Sequence, residues 1–140
     1  MQKDILQKWF FEQPPGEVWE YLTRPELLEQ WLMQSDFQPI VGHKFRFTYT
    51  PKNDSSYKGI VDGEVLEVAP FKKLSYSWNG ITKDGSRTYH SKVEWTLLPK
   101  GEGTELLLQH KDFILLEDCT AHNTGWGICL KRFDELLKTN

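Results

Sequence analysis

Three histidines and two aspartates are the side chains of this 140-residue chain best suited to acid–base chemistry or metal binding. They are His90, His110 and His122, with Asp112 and Asp118. Zinc requires three or four ligands that converge at about 2 Å, and a short ligand spacing such as His-x-x-x-His does not occur here. The sequence therefore predicts no metal site. A buried, hydrogen-bonded histidine is the simpler interpretation of His110 and His122, and a hydrogen bond to the polar end of a ligand is the alternative.

Short catalytic motifs give no stronger signal. The sequence contains no Gly-x-Ser-x-Gly elbow, no nucleophilic cysteine signature, no phosphate-binding glycine loop and no dinucleotide fingerprint. Its two cysteines, Cys119 and Cys129, lie ten residues apart in a predicted helical region, which is typical of free thiols in a reducing compartment. We therefore expect no catalytic residue, no cofactor and no enzymatic activity.

Aromatic side chains are the most informative group in the sequence. Strand alternation places one set of them on the inward face of the predicted sheet, opposite a tryptophan on the last helix. The set comprises Trp9, Phe47, Tyr49, Tyr76, Trp78, Tyr89 and Trp95, facing Trp126. Tyrosine and tryptophan combine a large apolar surface with one polar group, as in pockets for flat or lipid-like ligands. Together with His110 and His122 they form our predicted ligand-binding site, although the same aromatics would also fill an ordinary core.

The first elements that position these residues are a strand and two short helices. Residues 4–12 alternate between apolar and polar side chains, which predicts a strand that ends at Pro14. Proline is favoured in a first helical turn because its missing N–H would have no helical partner. Helices are therefore predicted over residues 15–23 and 25–33, each of which begins with a proline.

The rest of the chain is predicted to form five strands and one long helix. The strands are assigned by alternation to residues 44–50, 59–68, 74–78, 89–97 and 106–110. From His122 to Leu137, large side chains instead recur at spacings of three and four, and charged residues face the other way. This pattern predicts an amphipathic helix over residues 120–138.

This order of elements predicts an α+β architecture. Helices that are segregated from an antiparallel sheet must cover one of its faces, and each predicted strand offers one apolar face. We therefore predict a helix-grip fold, in which a curved, antiparallel, six-stranded sheet wraps around the long C-terminal helix. Two short helices separate the first two strands. No linker or repeat divides the chain, so residues 1–140 are predicted to form a single domain.

Charge and hydropathy exclude two classes of partner. The formal net charge is only −3, and the basic residues are scattered rather than arranged in the stripe that nucleic acid binding requires. No apolar stretch approaches the length of a membrane span, and the first twelve residues do not resemble a secretory signal. We expect a cytoplasmic protein that neither binds nucleic acid nor inserts into a membrane.

A set of short segments, in order along the chain, resembles a known family. The segments are residues 11–19, 22–28 with Trp31, 41–47, 63–68, 74–78, 103–106 and 125–126. Together they are similar to homologues of the activator of heat-shock protein 90 ATPase, in the START-like (SRPBCC) superfamily. They span almost the entire chain. The resemblance implies a single START-like domain with a helix-grip fold.

The resemblance also implies two kinds of function. Many START-like proteins hold a small ligand in a hydrophobic cavity, whereas the eukaryotic activator uses this domain to contact the chaperone, which implies a link to the stress response. The sequence shows no counterpart of that activator's additional N-terminal domain, which favours small-molecule binding. Our first hypothesis is therefore a binding domain for a lipid-like or aromatic molecule. The alternatives are a chaperone-linked protein-interaction module and a lyase-type or cyclase-type enzyme, with either a monomer or a homodimer as the assembly.

Overall fold

A single antiparallel sheet and three helices make up residues 3–139, the part of the chain that the structure, a computed structural model, describes. The strands are β1 Ile5–Phe11, β2 Gln34–Ser35, β3 Lys44–Thr48, β4 Tyr57–Ala69, β5 Lys73–Thr82, β6 Thr88–Lys100 and β7 Gly103–Lys111. The helices are α1 Pro15–Thr23, α2 Pro25–Trp31 and α3 Leu116–Thr139. Residues 1, 2 and 140 of the predicted domain lie outside the described residues.

The sheet has the strand order β1-β7-β6-β5-β4-β3-β2, and every neighbouring pair is antiparallel. The first strand thus closes against the last one, while β2 to β7 follow one another in space. The register between β4 and β5 shifts between Val65 and Glu67, and also between Tyr57 and Val61. Such irregularities bend and twist a strand, which curves the sheet towards one face.

The long helix α3 packs against that concave face. Its buried side chains include Trp126, Leu130, Phe133 and Leu137. Phe133 stacks on Phe11 of β1 with 4.7 Å between the ring centroids, and Trp126 meets Trp95 of β6 edge to face at 5.4 Å. A curved antiparallel sheet that wraps a C-terminal helix, with short helices after the first strand, is the helix-grip α+β fold predicted from the sequence.

The bounds of several elements differ from the sequence prediction, and two of the differences have a clear physical reason. The sheet has seven strands rather than six, because the two-residue strand β2 pairs Gln34 with Thr48 and Ser35 with Phe47. Two residues are too few to show an alternating pattern. The last helix begins at Leu116 rather than residue 120, and Glu117 and Asp118 lie in its first turn. Acidic residues there interact favourably with the positive end of the helix dipole.

Candidate ligand-binding cavity

A cavity of about 440 Å³ lies between the concave face of the sheet and α3. This volume falls within the range of roughly 300–1,000 Å³ that is usual for small-molecule sites. Strands β4, β5 and β6, the loop after β3 and the segment after α2 line it together with α3. The lining residues are Leu32, Met33, Tyr49, Thr50, Lys52, Tyr57, Val61, Trp78, Tyr89, Ala121, His122, Gly125, Trp126, Ile128, Cys129 and Arg132.

The helical wall of the cavity contains a glycine where a core-facing helix would carry a side chain. His122, Gly125, Cys129 and Arg132 follow one another at spacings of three and four, so they lie on one face of α3. A Cβ atom at Gly125 would meet no atom within 4 Å. The absence of a side chain at this position therefore leaves open space next to the sheet.

The inner wall of the cavity is aromatic and closed to solvent. Trp78 and Trp126 are each 3% exposed and Tyr89 is 8% exposed. The rings of Trp78 and Trp126 lie 5.2 Å apart, at a tilt of 50°. Val61 and Leu32, both buried, add aliphatic surface. The inner wall is therefore apolar, which favours contact with an apolar ligand.

Two polar groups on the cavity wall hold each other in place. The Nδ1 atom of His122 lies 2.8 Å from the carbonyl oxygen of Asp118, to which it must donate, so Nε2 is the unprotonated nitrogen. Tyr89 donates its hydroxyl hydrogen to that Nε2 atom over 2.8 Å. Burial lowers the pKa of His122, although the Asp118 carbonyl and carboxylate raise it in part. Burial also raises the pKa of Tyr89, so both groups are uncharged at neutral pH.

Gly80 allows Tyr89 to take this position. The two residues are cross-strand partners on β5 and β6. A Cβ atom at Gly80 would lie 2.3 Å from the ring and hydroxyl of Tyr89. Because Gly80 has no side chain, the tyrosine ring packs directly on its backbone, and the tyrosine hydroxyl contacts His122 on α3.

An ion pair between the half-buried Arg87 and the buried Asp118 fixes the start of α3 near Tyr89 and His122. Arg87 donates to both carboxylate oxygens of Asp118, over 2.7 and 3.1 Å, and the hydroxyl of Tyr57 donates to the same carboxylate. Burial alone would raise the pKa of Asp118, but the hydrogen bonds from Arg87 and Tyr57 outweigh it and the net shift is downward. The carboxylate is therefore ionised and compensated, which fixes the helical turn that carries His122.

His110 lies behind the cavity wall rather than on it. The indole N–H of Trp126 donates to Nδ1 of His110 over 2.9 Å, so the hydrogen is on Nε2, which donates to the hydroxyl oxygen of Ser91 over 2.7 Å. Ser91 in turn donates to the carbonyl oxygen of Trp78 over 2.7 Å. This chain of hydrogen bonds ties the two cavity tryptophans to the same buried histidine.

Trp78 carries a polar atom that the fold leaves unsatisfied. Its Nε1 atom is buried and makes no hydrogen bond with any of the residues that the structure describes. The indole nevertheless lies close enough to the Tyr89 hydroxyl to oppose the rise of that group's pKa. A buried N–H without an acceptor costs about 1–3 kcal/mol. An acceptor atom on a bound molecule would remove that cost.

The predicted site residues fall into three groups in the structure. Five of them line the cavity: Tyr49, Trp78, Tyr89, His122 and Trp126. Four others are buried in the surrounding core: Phe47, Tyr76, Trp95 and His110. Trp9 is partly buried on β1, where its indole N–H donates to the side-chain oxygen of Gln7 over 3.1 Å. Strand alternation does not separate cavity positions from core positions, and Tyr49 lies beyond the end of β3 with 40% of its surface exposed.

Several lining residues were not predicted from the sequence. Cys129 and Arg132 share the helical face of His122, so spacing along α3 could have identified them. Tyr57 begins β4 two residues before the predicted strand. Lys52 lies in a connecting segment, where no periodic pattern indicates which way a side chain points.

The described residues contain no group of three or more histidine, cysteine, aspartate or glutamate side chains that is able to hold a metal ion. Both cysteines are free thiols. Among residues 3–139, no helix is long and apolar enough to cross a membrane.

Comparison with known proteins identifies relatives of this fold. The family model described as activator of Hsp90 ATPase homolog 1-like protein matches residues 12–138. The crystal structure of protein MLL2253 from Mesorhizobium loti is 32% identical in sequence, with a TM-score of 0.84 and 98% of each chain covered. No curated protein gave a significant match.

Two more distant solved structures share the fold. The AHSA1 protein SPO3351 from Silicibacter pomeroyi is 21% identical, with a TM-score of 0.82 over 97% of this chain and 98% of that one. The Aha1 dimer from Colwellia psychrerythraea is 19% identical, with a TM-score of 0.75 over 96% of this chain and 95% of that one. At these identities the similarity concerns the fold alone.

Proposed function

The chain belongs to the activator of Hsp90 ATPase homolog 1-like family, and from that premise we propose that it binds a small apolar molecule, aromatic or lipid-like, in the cavity under α3. The observation that carries the proposal is the cavity itself. It has a volume of about 440 Å³ and its inner wall is formed by Trp78, Tyr89 and Trp126. Two other grooves have similar volumes, but polar and charged side chains make up most of their walls, whereas aromatic and aliphatic side chains make up most of this one.

In this proposal the domain binds its ligand and does not transform it. The polar groups of the wall are already engaged with one another, because Tyr89 donates to His122 and His122 donates to the Asp118 carbonyl. Neither nitrogen of His122 is therefore free to take a proton from a nucleophile, and only the hydroxyl oxygen of Tyr89 is still able to accept a hydrogen bond from a ligand. The enzymatic alternative requires turnover that depends on His122, and an unchanged rate in His122→Gln would remove it.

The test uses a neutral fluorescent probe and a matched pair of glycine substitutions. N-phenyl-1-naphthylamine should bind with a rise in fluorescence, and it should raise the melting temperature by mass action. Gly125→Leu places a side chain in the cavity and should weaken probe binding at least about fivefold, because forcing atoms into an occupied site costs roughly 1–3 kcal/mol. Gly127→Leu is the control, since Gly127 lies on the same helix and does not line the cavity.

Two outcomes would overturn the proposal. One is that the probe does not bind to the wild-type protein at all. The other is that the probe binds with equal affinity to the wild type, Gly125→Leu and Gly127→Leu, which would place it on another surface.

A second candidate function is a contact with a chaperone, and exposed apolar side chains favour it. Ile114 is 78% exposed, Leu115 is 37% and Leu116 is 43%, and the three are consecutive at the start of α3. Contiguous exposed apolar residues often mark a protein interface. Replacing all three with serine should weaken binding to purified Hsp90 and leave probe binding unchanged. Failure of the wild-type protein to bind Hsp90 would eliminate this function.

A further inference from the structure

The charged side chains at the opening of the cavity are both positive. Two charged side chains line it, Lys52 from the loop after β3 and Arg132 from α3, and both are cationic. None of the described aspartates and glutamates lines it, although the chain carries more acidic than basic residues. Both cations are exposed, so they lie at the rim rather than inside. Among residues 3–139, neither Lys52 nor Arg132 forms an ion pair.

The position of Arg132 directs its charge towards the cavity. Its Nη1 atom donates to the carbonyl oxygen of Trp31 over 3.3 Å, which anchors the side chain across the gap between α3 and α2. Burial raises the pKa of the Cys129 thiol, and the guanidinium of Arg132 acts in the opposite direction, so its field reaches a lining residue. A guanidinium has five N–H donors in a planar fork, and the contact with Trp31 leaves donors for a bidentate contact with a carboxylate.

The inner end of the cavity offers no comparable partner for a charge. The carboxylate of Asp118 is compensated by Arg87, and Tyr89 and His122 are uncharged at neutral pH. A charged group placed among Trp78 and its neighbours would lose its hydration without gaining a counter-ion, which is unfavourable. An amphipathic ligand must therefore enter with its apolar end first.

One acidic residue lies near the opening without belonging to it. Glu29 lines an adjoining groove that shares Leu32, Met33, Tyr49 and Thr50 with the cavity. Its carboxylate accepts a hydrogen bond from the side-chain amide of Gln34 over 3.0 Å. Within the part of the chain that the structure describes, it forms no ion pair with Lys52 or Arg132.

We propose that the ligand is an amphipathic anion, whose apolar body occupies the cavity and whose acidic group lies at the rim beside Arg132 and Lys52. This inference rests on the proposed function, because it assumes that the cavity binds a ligand. It adds the chemical class of that ligand and its orientation. A carboxylate, a sulfonate or a phosphate ester on an apolar body would satisfy it equally.

The experiment compares three ten-carbon amphiphiles that differ only in their head group. Decanoate, decanol and decylammonium are used to displace N-phenyl-1-naphthylamine at pH 7.5 and low ionic strength, below their micelle concentrations. Decanoate should bind at least about tenfold more tightly than decylammonium, because two rim cations attract one head group and repel the other. Salt at 0.5 M should reduce this preference by screening. Decanol has no charge, so it measures the affinity of the cavity for the apolar chain alone.

Substitutions of the two rim cations test whether they cause the preference for decanoate over decylammonium. The double variant Arg132→Gln, Lys52→Gln should lose most of the decanoate preference, and each single variant should lose roughly twofold to fivefold. Lys131→Gln makes the same change of charge one residue away on α3, outside the cavity lining, and should retain the preference.

The two proposals fail in different ways. If the probe and decanol bind but decanoate and decylammonium compete equally, or if Lys131→Gln abolishes the preference as fully as the double variant does, the anion inference is wrong and the cavity remains a binding site. If neither the probe nor decanol binds, the proposed function itself is wrong, and with it the inference about its ligand.

Discussion

His110 is a fully buried titratable side chain whose two nitrogens are both engaged. It accepts a hydrogen bond from Trp126 and donates one to Ser91. Burial lowers its pKa well below the usual value, and the neighbouring His122 acts in the same direction. Protonation would place a hydrogen on the nitrogen that accepts from Trp126, and would break that contact inside the core. The fold therefore depends on a neutral histidine.

Acid should destabilise the protein through these histidines. The pKa values of His110 and His122 are lower in the folded state than the unfolded value of about 6.5, so stability is complete above that pH and is lost as the pH falls below it. Each histidine should remove up to about 1.4 kcal/mol per pH unit from the free energy of unfolding. Urea denaturation between pH 7.5 and 5.5 measures this slope.

A matched variant separates the two contributions. His122→Gln leaves His110 in place and should show a smaller slope than the wild type. A free energy of unfolding that does not change between pH 7.5 and 5.5 would contradict the neutral state assigned to both histidines.

Asp118, at the start of α3, is a buried carboxylate whose contribution to stability also depends on pH. Asp118→Asn should destabilise the fold by about 2 kcal/mol at pH 7, because it leaves Arg87 without its buried partner and weakens the contact with Tyr57. The pKa of Asp118 is lower in the folded state, so its contribution is present above the unfolded value of about 3.9 and disappears at lower pH. Chemical denaturation at pH 7 and pH 3 tests both points.

The adjacent residue gives the control for that prediction. Glu117 also faces Arg87, at 3.8 Å, but its side chain is 74% exposed. Glu117→Gln should therefore change stability little. An equal effect of Glu117→Gln and Asp118→Asn would show that burial of the carboxylate is not the source of its contribution.

At the scale of elements, two glycines of this chain have opposite roles. Gly127 lies within α3, and a Cβ atom there would meet nothing within 4 Å. Gly127→Ala should therefore stabilise the protein by about 0.5–1 kcal/mol, since glycine is unfavourable inside a helix. Gly59 in β4 has φ of 86°, and a Cβ atom would lie 2.3 Å from the carbonyl oxygen of Tyr49. Gly59→Ala should destabilise the protein by at least about 1 kcal/mol.

Thermal and urea unfolding of the two variants measure these opposite signs. A stabilised Gly59→Ala would mean that β4 has a different backbone conformation at this residue. A destabilised Gly127→Ala would mean that the outer face of α3 is covered.

The elements were largely predictable because their patterns are local. Alternation in β1 and in β3 to β7 and helical spacing from His122 to Leu137 are properties of neighbouring residues, and the prolines mark the starts of α1 and α2. The strand β2 was missed because its two residues have no pattern of their own. Its position is decided by pairing with β3, which is a contact between distant parts of the fold.

At the scale of the whole molecule, two segments outside the predicted strands decide where the cavity lies. Phe37, in the connection after β2, packs between Phe45 and Tyr76, with ring centroids at 5.0 and 5.5 Å. Trp31 at the end of α2 packs against Trp95 and Phe133. These side chains fill one part of the concave face, so its inward aromatics become core. The other part faces Gly125 and remains open.

This division explains why the sequence could not distinguish core from cavity. Trp78 and Tyr76 lie two residues apart on the same face of β5, and alternation treats them alike. Tyr76 meets Phe37, whereas Trp78 meets the open space below α3. The difference depends on side chains contributed by other elements, which a pattern along one strand does not contain.

The central claim, that a small apolar molecule binds in this cavity, is tested most directly by the indole N–H signals of the six tryptophans in a nitrogen–proton correlation spectrum. Each signal is assigned by a Trp→Phe variant, and the neutral probe N-phenyl-1-naphthylamine is then titrated. Binding in the cavity should change the chemical shifts of Trp78 and Trp126, which line it, and leave those of Trp9 and Trp19 unchanged. Shifts confined to Trp9 or Trp19, with Trp78 and Trp126 unchanged, would contradict it.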